Sequence, residues 1–337
     1  MTSSRTNIPM LLAAMSALSM ALGALPDIAA AAERQAGTAL PEAINIPGEK
    51  IFPESLTSSN DGSVIIGSIG QKQIYRAKPG GATAEVWIPA GTAGLNSILG
   101  VFADNKANTL YACSNTIGPP GAGQAVNATL YTFDLKTGKP EGHYVFPTDK
   151  GFCNDIAVDA QGNAYATDTN NMEVVRLQKG GTALEVWAGN GAFGPKGGVL
   201  DGISVLGKRV VANTLATSKL FSVPIEADGK AGTAVEVQLD REISHPDGMR
   251  SFGQSDVLII EGGNGGRLSR IALKGDTGKV TTVKEGYPDG PVAVTVVGAT
   301  AYVLEGQLMA MMRRPGDNTP SPELKPFTAT AVDVGKP

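Results

Sequence analysis

One acid or amide recurs just ahead of a short apolar strand. It is Glu54 in Pro53-Glu54-Ser55-Leu56, Asn154 in Cys153-Asn154-Asp155-Ile156 and Asp201 in Leu200-Asp201-Gly202-Ile203. Asp247 in Pro246-Asp247-Gly248-Met249 and Asp289 in Pro288-Asp289-Gly290-Pro291 repeat it. A sixth copy, placed by the strand that follows, is Leu99-Gly100-Val101, with Leu99 in the polar position. Brought to one axis, four carboxylates and an amide would crowd together. Like charges at such range repel and raise each other's pKa, and a divalent cation resolves that repulsion. All-oxygen donors suit calcium, magnesium or manganese rather than a structural zinc site. The chain has only two histidines, His143 and His245, and no Cys/His cluster of zinc-finger spacing. A cation with an open coordination position polarises an ester or lactone carbonyl, and a carboxylate on the rim takes a proton from the attacking water. Asp201 and Asp247 are the candidates for that base. A single Asp-Gly is read more simply as a turn; it is the set of polar copies in register that points to a metal.

These residues need a scaffold that makes them converge. Successive copies lie 42 to 55 residues apart, the period of propeller blades. Blade 3 shows the unit: Ile156-Ala157-Val158-Asp159, a turn at Ala160-Gln161-Gly162-Asn163, Ala164-Tyr165-Ala166-Thr167, then Glu173 to Leu177 and Leu184-Glu185-Val186-Trp187. Blade 1 repeats it, and the stretches from Gly80 to Trp87 and from Gly180 to Trp187 are near copies two blades apart. The two tryptophans fall at blade-packing positions and are read as core. The expectation is an all-β, six-bladed β-propeller with four antiparallel strands per blade, one domain over residues 43–333. Blade 6 has strands at Val292 to Val297 and Ala301 to Leu304, with Gln307 to Met312 expected as its third. Ala43-Ile44-Asn45-Ile46 and Phe327-Thr328-Ala329-Thr330 are equal candidates to close the ring. Blade 2 carries an insertion, Ser114 to Asn127, read either as a cover over the central site or as a passive surface loop.

Residues 1–32 read as a removable secretory signal peptide: Arg5, an apolar run from Ile8 to Leu25, then small residues before the fold. The run lacks a following cysteine or a preceding twin arginine, so general secretion, into the bacterial periplasm, is expected. That leaves about 305 residues, enough for one large ring or two ordinary domains. Net charge is −4 with no basic run, which argues against nucleic acid, and no other segment is long enough to span a membrane. The expected partner is a small-molecule substrate or ligand, and the expected state a monomer. In an oxidising compartment Cys113 and Cys153, at the same rim of neighbouring blades, are expected to form a disulfide.

The ends of the second strands make another ring on the same face. Its members include Ser114, Asp168, Glu261 and Glu305, which with Leu99 and Asp289 are expected to line the pocket; solvated strand ends are the alternative. His245 is read as a structural histidine rather than a base. The run Glu261-Gly262-Gly263-Asn264-Gly265-Gly266 lacks the following helix and Lys-Ser/Thr of a phosphate loop and is read as a hairpin.

A six-fold ring with Glu54 opening blade 1, Asn154 opening blade 3 and Asp201-Gly202 opening blade 4 resembles the SMP-30/gluconolactonase (regucalcin-like) propeller family over roughly residues 50 to 310. The resemblance implies that Glu54, Asn154 and Asp201 coordinate a divalent metal, and that the chain hydrolyses a sugar lactone or related ester. It also widens the cation choice to calcium, manganese, magnesium or zinc, with calcium expected. Three features depart from the family: its Asn opening blade 2 is Leu99 here, its first motif, with Gly before Glu and Pro after, reads Pro53-Glu54-Ser55, and no arginine matches the one that holds substrate. Leu99 and the missing arginine favour the competing reading, a non-catalytic periplasmic propeller that binds a small molecule, a glycan or a protein. A third reading is a metal-free propeller enzyme of the strictosidine-synthase type.

Overall fold

The computed structural model describes residues 40–117, 126–263, 265–312 and 322–337. The expected signal peptide and the Gly/Pro tip of the blade 2 insertion lie outside the described residues. Short runs of β-branched and aromatic residues, separated by turns rich in Gly, Asp and Asn, pair as hairpins. In blade 3 the hairpin Cys153–Val158 and Ala164–Asp168 is joined by Glu173–Leu177 and Leu184–Ala188. Its first turn is fixed by Asp159, whose Oδ1 accepts from the Gln161 and Asn163 amides at 2.9 Å.

Five more sheets follow the same order, giving six blades of four antiparallel strands. Blade 1 is Pro53–Ser58, Val64–Ser68, Ile74–Ala77 and Ala84–Ile88. Blade 2 is Ser97–Asp104, Thr109–Thr116, Val126–Asp134 and Pro140–Val145. Blade 4 begins Leu200–Leu206 and Arg209–Thr214, and blade 5 begins Pro246–Phe252 and Asp256–Glu261. A two-residue strand, Gln238–Leu239, adds a parallel edge to blade 5.

Blade 6 closes the ring with both chain ends. Its first strands are Pro291–Val297 and Thr300–Glu305; Phe327–Asp333 is the third and Ala43–Ile46 the fourth. Ala43 pairs with Thr330 and Ile46 with Phe327, so the ring has no unpaired seam. The third strand is therefore not at Gln307 to Met312. Gln307 adopts a left-handed backbone (φ 52°), which turns the chain into the four-residue helix Leu308–Met311. Phe327 and Ala329 are buried, with intermediate exposure between them; the Met-rich run offers no such alternation.

The cores lie between neighbouring blades. Trp187 is buried edge-on against Tyr165, ring centres 4.9 Å apart. Trp87 is only half-buried, with the Arg76 guanidinium 4.9 Å from its ring centre.

Candidate metal centre

Every first strand is irregular at its start. The last residue before the irregularity pairs at or near the end of the second strand: Pro53 with Ser68, Ile98 with Ser114, Cys153 with Asp168. Leu200 with Thr214, Pro246 with Glu261 and Pro291 with Glu305 complete the set. Pairing then skips and resumes, which throws the next residue out of the ladder; bulges re-aim side chains in this way. The re-aimed residues are Glu54, Leu99, Asn154, Asp201, Asp247 and Val292. The sixth member is thus Val292 and not Asp289.

Three of the ring carboxylates converge. Oxygens of Glu54, Asp201 and Asp247 all lie within 4.8 Å of one another. Asn154 Nδ2 donates to Asp201 Oδ2 at 3.1 Å and to Thr169 Oγ1 at 3.2 Å. Asn154 Oδ1 and Asp201 Oδ1 are buried and have no hydrogen-bond partner among the described residues. An orphaned buried oxygen is costly, and two of them beside converging carboxylates are what a cation satisfies. The donors are hard oxygens only, which fits calcium, magnesium or manganese. Glu54, Asn154 and Asp201 could hold the ion, with Asp247 as a fourth donor.

Electrostatics agree. Burial pushes the Glu54 carboxyl well above the ordinary range; Asp201 and Asp155 push it further, and Arg250 opposes them. Burial likewise raises Asp201, to about 7, with Asp155 adding to the rise and hydrogen bonds from Asp247 and Asn154 opposing it. Asp247 rises through burial, then through Asp201 and Glu54. Without a cation each of these groups keeps its proton to higher pH than an ordinary carboxyl does.

Neighbouring blades hold the ring in place. Asn115 in blade 2 brackets Cys153, donating to its carbonyl at 2.8 Å and accepting from its amide at 3.0 Å. Thr167 and Thr169 in blade 3 donate to the Asp201 and Leu200 carbonyls, each at 2.7 Å. Asn213 in blade 4 donates to the Asp247 carbonyl at 2.7 Å. The glycine after each aspartate is a close-approach residue. A Cβ on Gly202 would stand 2.5 Å from the Asp247 carbonyl oxygen, and one on Gly248 2.8 Å from that of Val292. The same holds for Gly100, at 2.2 Å from the Asn154 carbonyl oxygen.

The other expected residues sit as follows. Leu99 is a buried ring member. Asp289 is outside the cluster, paired with Lys325 at 2.8 Å. Its successor Gly290 takes the left-handed backbone found two residues before the ring at Phe52, Val199 and His245, so Asp289-Gly290 is three residues out of register with Asp247-Gly248. Ser114, Asp168, Glu261 and Glu305 anchor the segment before each first strand. They accept from the amides of Asn96 (2.9 Å), Phe152 (3.0 Å), Ser244 (2.9 Å) and Asp289 (2.9 Å) respectively. Glu261 is also bonded by Arg241 at 2.8 Å. Cys113 and Cys153 are joined as a disulfide directly beside Asn154.

Two residues escaped the sequence argument. Asp155 and Arg250 form a buried ion pair at 2.8 Å. Both were visible as charges inside otherwise apolar inner strands, Asp155 next to Asn154 and Arg250 three residues after Asp247.

No family model and no curated protein matches the chain. Solved structures do. A gluconolactonase from Xanthomonas campestris is 11% identical, with 83% of this chain and 86% of that one covered at a TM-score of 0.59. A calcium-binding regucalcin from Agrobacterium tumefaciens is 14% identical, with coverage of 85% and 92% and a TM-score of 0.57. Virginiamycin B lyase from Staphylococcus aureus is 12% identical, with coverage of 86% and 98% and a TM-score of 0.53. The structural neighbours thus include gluconolactonase- and regucalcin-type propellers. At such identities the likeness is one of fold, and fold alone does not settle chemistry.

Proposed function

We propose that this chain is an exported propeller that hydrolyses a lactone or related ester with a divalent cation at its axis. The observation that carries the reading is the convergence of Glu54, Asp201 and Asp247 around the partnerless oxygens of Asn154 and Asp201. A bound cation, with calcium the first choice, would supply Lewis-acid polarisation of the substrate carbonyl. Glu54, Asn154 and Asp201 are the residues that hold it. Asp247 is the general base. Unlike Glu54 and Asp201 it is partly open to solvent, and its Oδ1 is steadied by the Gly248 amide at 2.9 Å. It takes the proton of the attacking water as the new C–O bond forms, and returns that proton to the alkoxide oxygen as the acyl–oxygen bond breaks. The Cys113–Cys153 bridge supports export to an oxidising compartment.

Leu99 and Val292 flank Glu54 in the ring and offer no hydrogen bonds, which favours a second reading, a binding propeller without turnover. Calorimetry with calcium on wild type and Asp201→Ala, followed by a lactone and ester screen read by proton release, separates the two. Stoichiometric calcium lost in the variant, with calcium-dependent turnover, supports the hydrolase. Calcium binding without turnover of any lactone or ester leaves the binding propeller. No uptake of calcium, magnesium or manganese by wild type refutes the metal site.

A further inference from the structure

Arg250 is a buried charged side chain that the proposed chemistry leaves unused. It belongs to blade 5, and its neighbours in the ring are blades 4 and 6. Its guanidinium nonetheless bonds to blades 1, 2 and 3, which it can reach only across the axis. Nη1 donates to Asp155 Oδ1 at 3.0 Å, to Asp155 Oδ2 at 2.8 Å and to its own neighbour's carbonyl, Met249 O, at 2.7 Å. Nη2 donates to Ser55 Oγ at 3.3 Å, Leu56 O at 3.2 Å and Val101 O at 3.1 Å. The acceptors lie one to two residues past the ring positions of their strands, so this layer sits beneath the carboxylates.

The acceptor set has an unusual composition for an arginine site. It comprises one carboxylate presenting both oxygens, three backbone carbonyls and one hydroxyl. That is six oxygens from four blades; Ser55 Oγ also accepts from the Val101 amide at 3.2 Å, and Asp155 Oδ1 and Oδ2 accept from the Ile156 and Ile203 amides at 2.8 and 3.3 Å. Calcium takes six to eight such oxygens, carbonyls and bidentate carboxylates included. Only one of these partners is a planar carboxylate, the kind arginine usually meets, and Nε is buried without a partner among the described residues. The six oxygens, three around Nη1 and three around Nη2, are of the kind a hard cation takes.

We propose that the Arg250 guanidinium occupies a second, hard-oxygen cation site at the base of the axis. It replaces a structural ion with a covalently attached charge. The consequence is that the base of the ring needs no metal to stay together. Whatever ion the upper ring takes can leave without opening the blades.

The test is the calcium stoichiometry of Arg250→Met, measured by calorimetry beside wild type and beside Arg250→Met/Asp155→Asn. The single variant should take up one more calcium per chain than wild type. Its melting temperature should fall in EDTA and recover in calcium. If it folds only with millimolar calcium present, the same dependence is shown. The double variant, without the carboxylate, should return to the wild-type count. Because counts are compared with wild type, the result stands whether or not the upper ring holds an ion. A single variant that gains no ion, or that calcium does not restore, overturns the proposal. So does a double variant that still gains one.

Discussion

Replacing Asp201 by Asn tests whether the axis is a cation site that carries a standing electrostatic cost when empty. Asp201 ionises near pH 7 in the folded protein, against an ordinary value of 3.8. Its folded-state pKa is raised, so the metal-free fold is unpenalised below the unfolded value. It loses stability as pH rises toward 7, and the loss is complete above it. The gap between 3.8 and about 7 amounts to about 4 kcal/mol. For a domain of this size that is roughly 6 °C in melting temperature. Asn keeps the shape and removes the charge. In EDTA at pH 8 the variant should melt above wild type by up to this amount, and at pH 4 the two should nearly coincide. Calcium should raise the wild-type melting point at pH 8, as any ligand of the native state does, and leave the variant unmoved. The assay is scanning calorimetry across pH with EDTA or calcium. A variant that melts at or below wild type in EDTA at pH 8 would refute the reasoning. Asp201 would then be a satisfied hydrogen-bond acceptor rather than a buried charge awaiting an ion.

Three further outcomes are expected. Gly202→Ala should abolish calcium binding in titrations and destabilise the fold in urea by about 2 kcal/mol or more, because its Cβ meets the Asp247 carbonyl oxygen at 2.5 Å; an unchanged variant would mean that the ring is not close-packed there. Reducing the Cys113–Cys153 bridge, which spans 40 residues, should cost about 4 kcal/mol in denaturant melts, and Cys113→Ala/Cys153→Ala should match it. Asp289→Ala removes a half-exposed pair with Lys325; it should change stability by less than about 1 kcal/mol and leave calcium affinity at the wild-type value.

The blade pattern was legible because it is local. Alternating residues, Asp-anchored turns and a near-constant period can be read along the chain, and Ile156 to Ala166 is a hairpin in any register count. Glu54, Asn154, Asp201 and Asp247 were legible as ring members because each opens a strand that the pattern already located. Asp289 was misplaced for the same reason. Asp289-Gly290 repeats the wording of Asp247-Gly248, yet the pairing of Pro291 with Glu305 puts the bulge at Val292. Only strand register decides which of two nearby polar residues leaves the ladder. The run Gln307 to Met312 was likewise assigned by order along the chain, whereas the third strand of blade 6 comes from Phe327–Asp333.

The sequence by itself determined the number of blades, the strands within them and the residue types available to the axis, since these depend on periodicity and on side-chain chemistry. The tertiary structure decided which of those residues meet. Closing the ring brought Glu54, Asp201 and Asp247 within reach of one another, left Asp289 to Lys325, and carried Arg250 across the axis to Asp155, 95 residues away in the chain. Contacts between non-adjacent blades have no local signature. They arise only when the first and last strands pair and the chain's own geometry fixes what faces the centre.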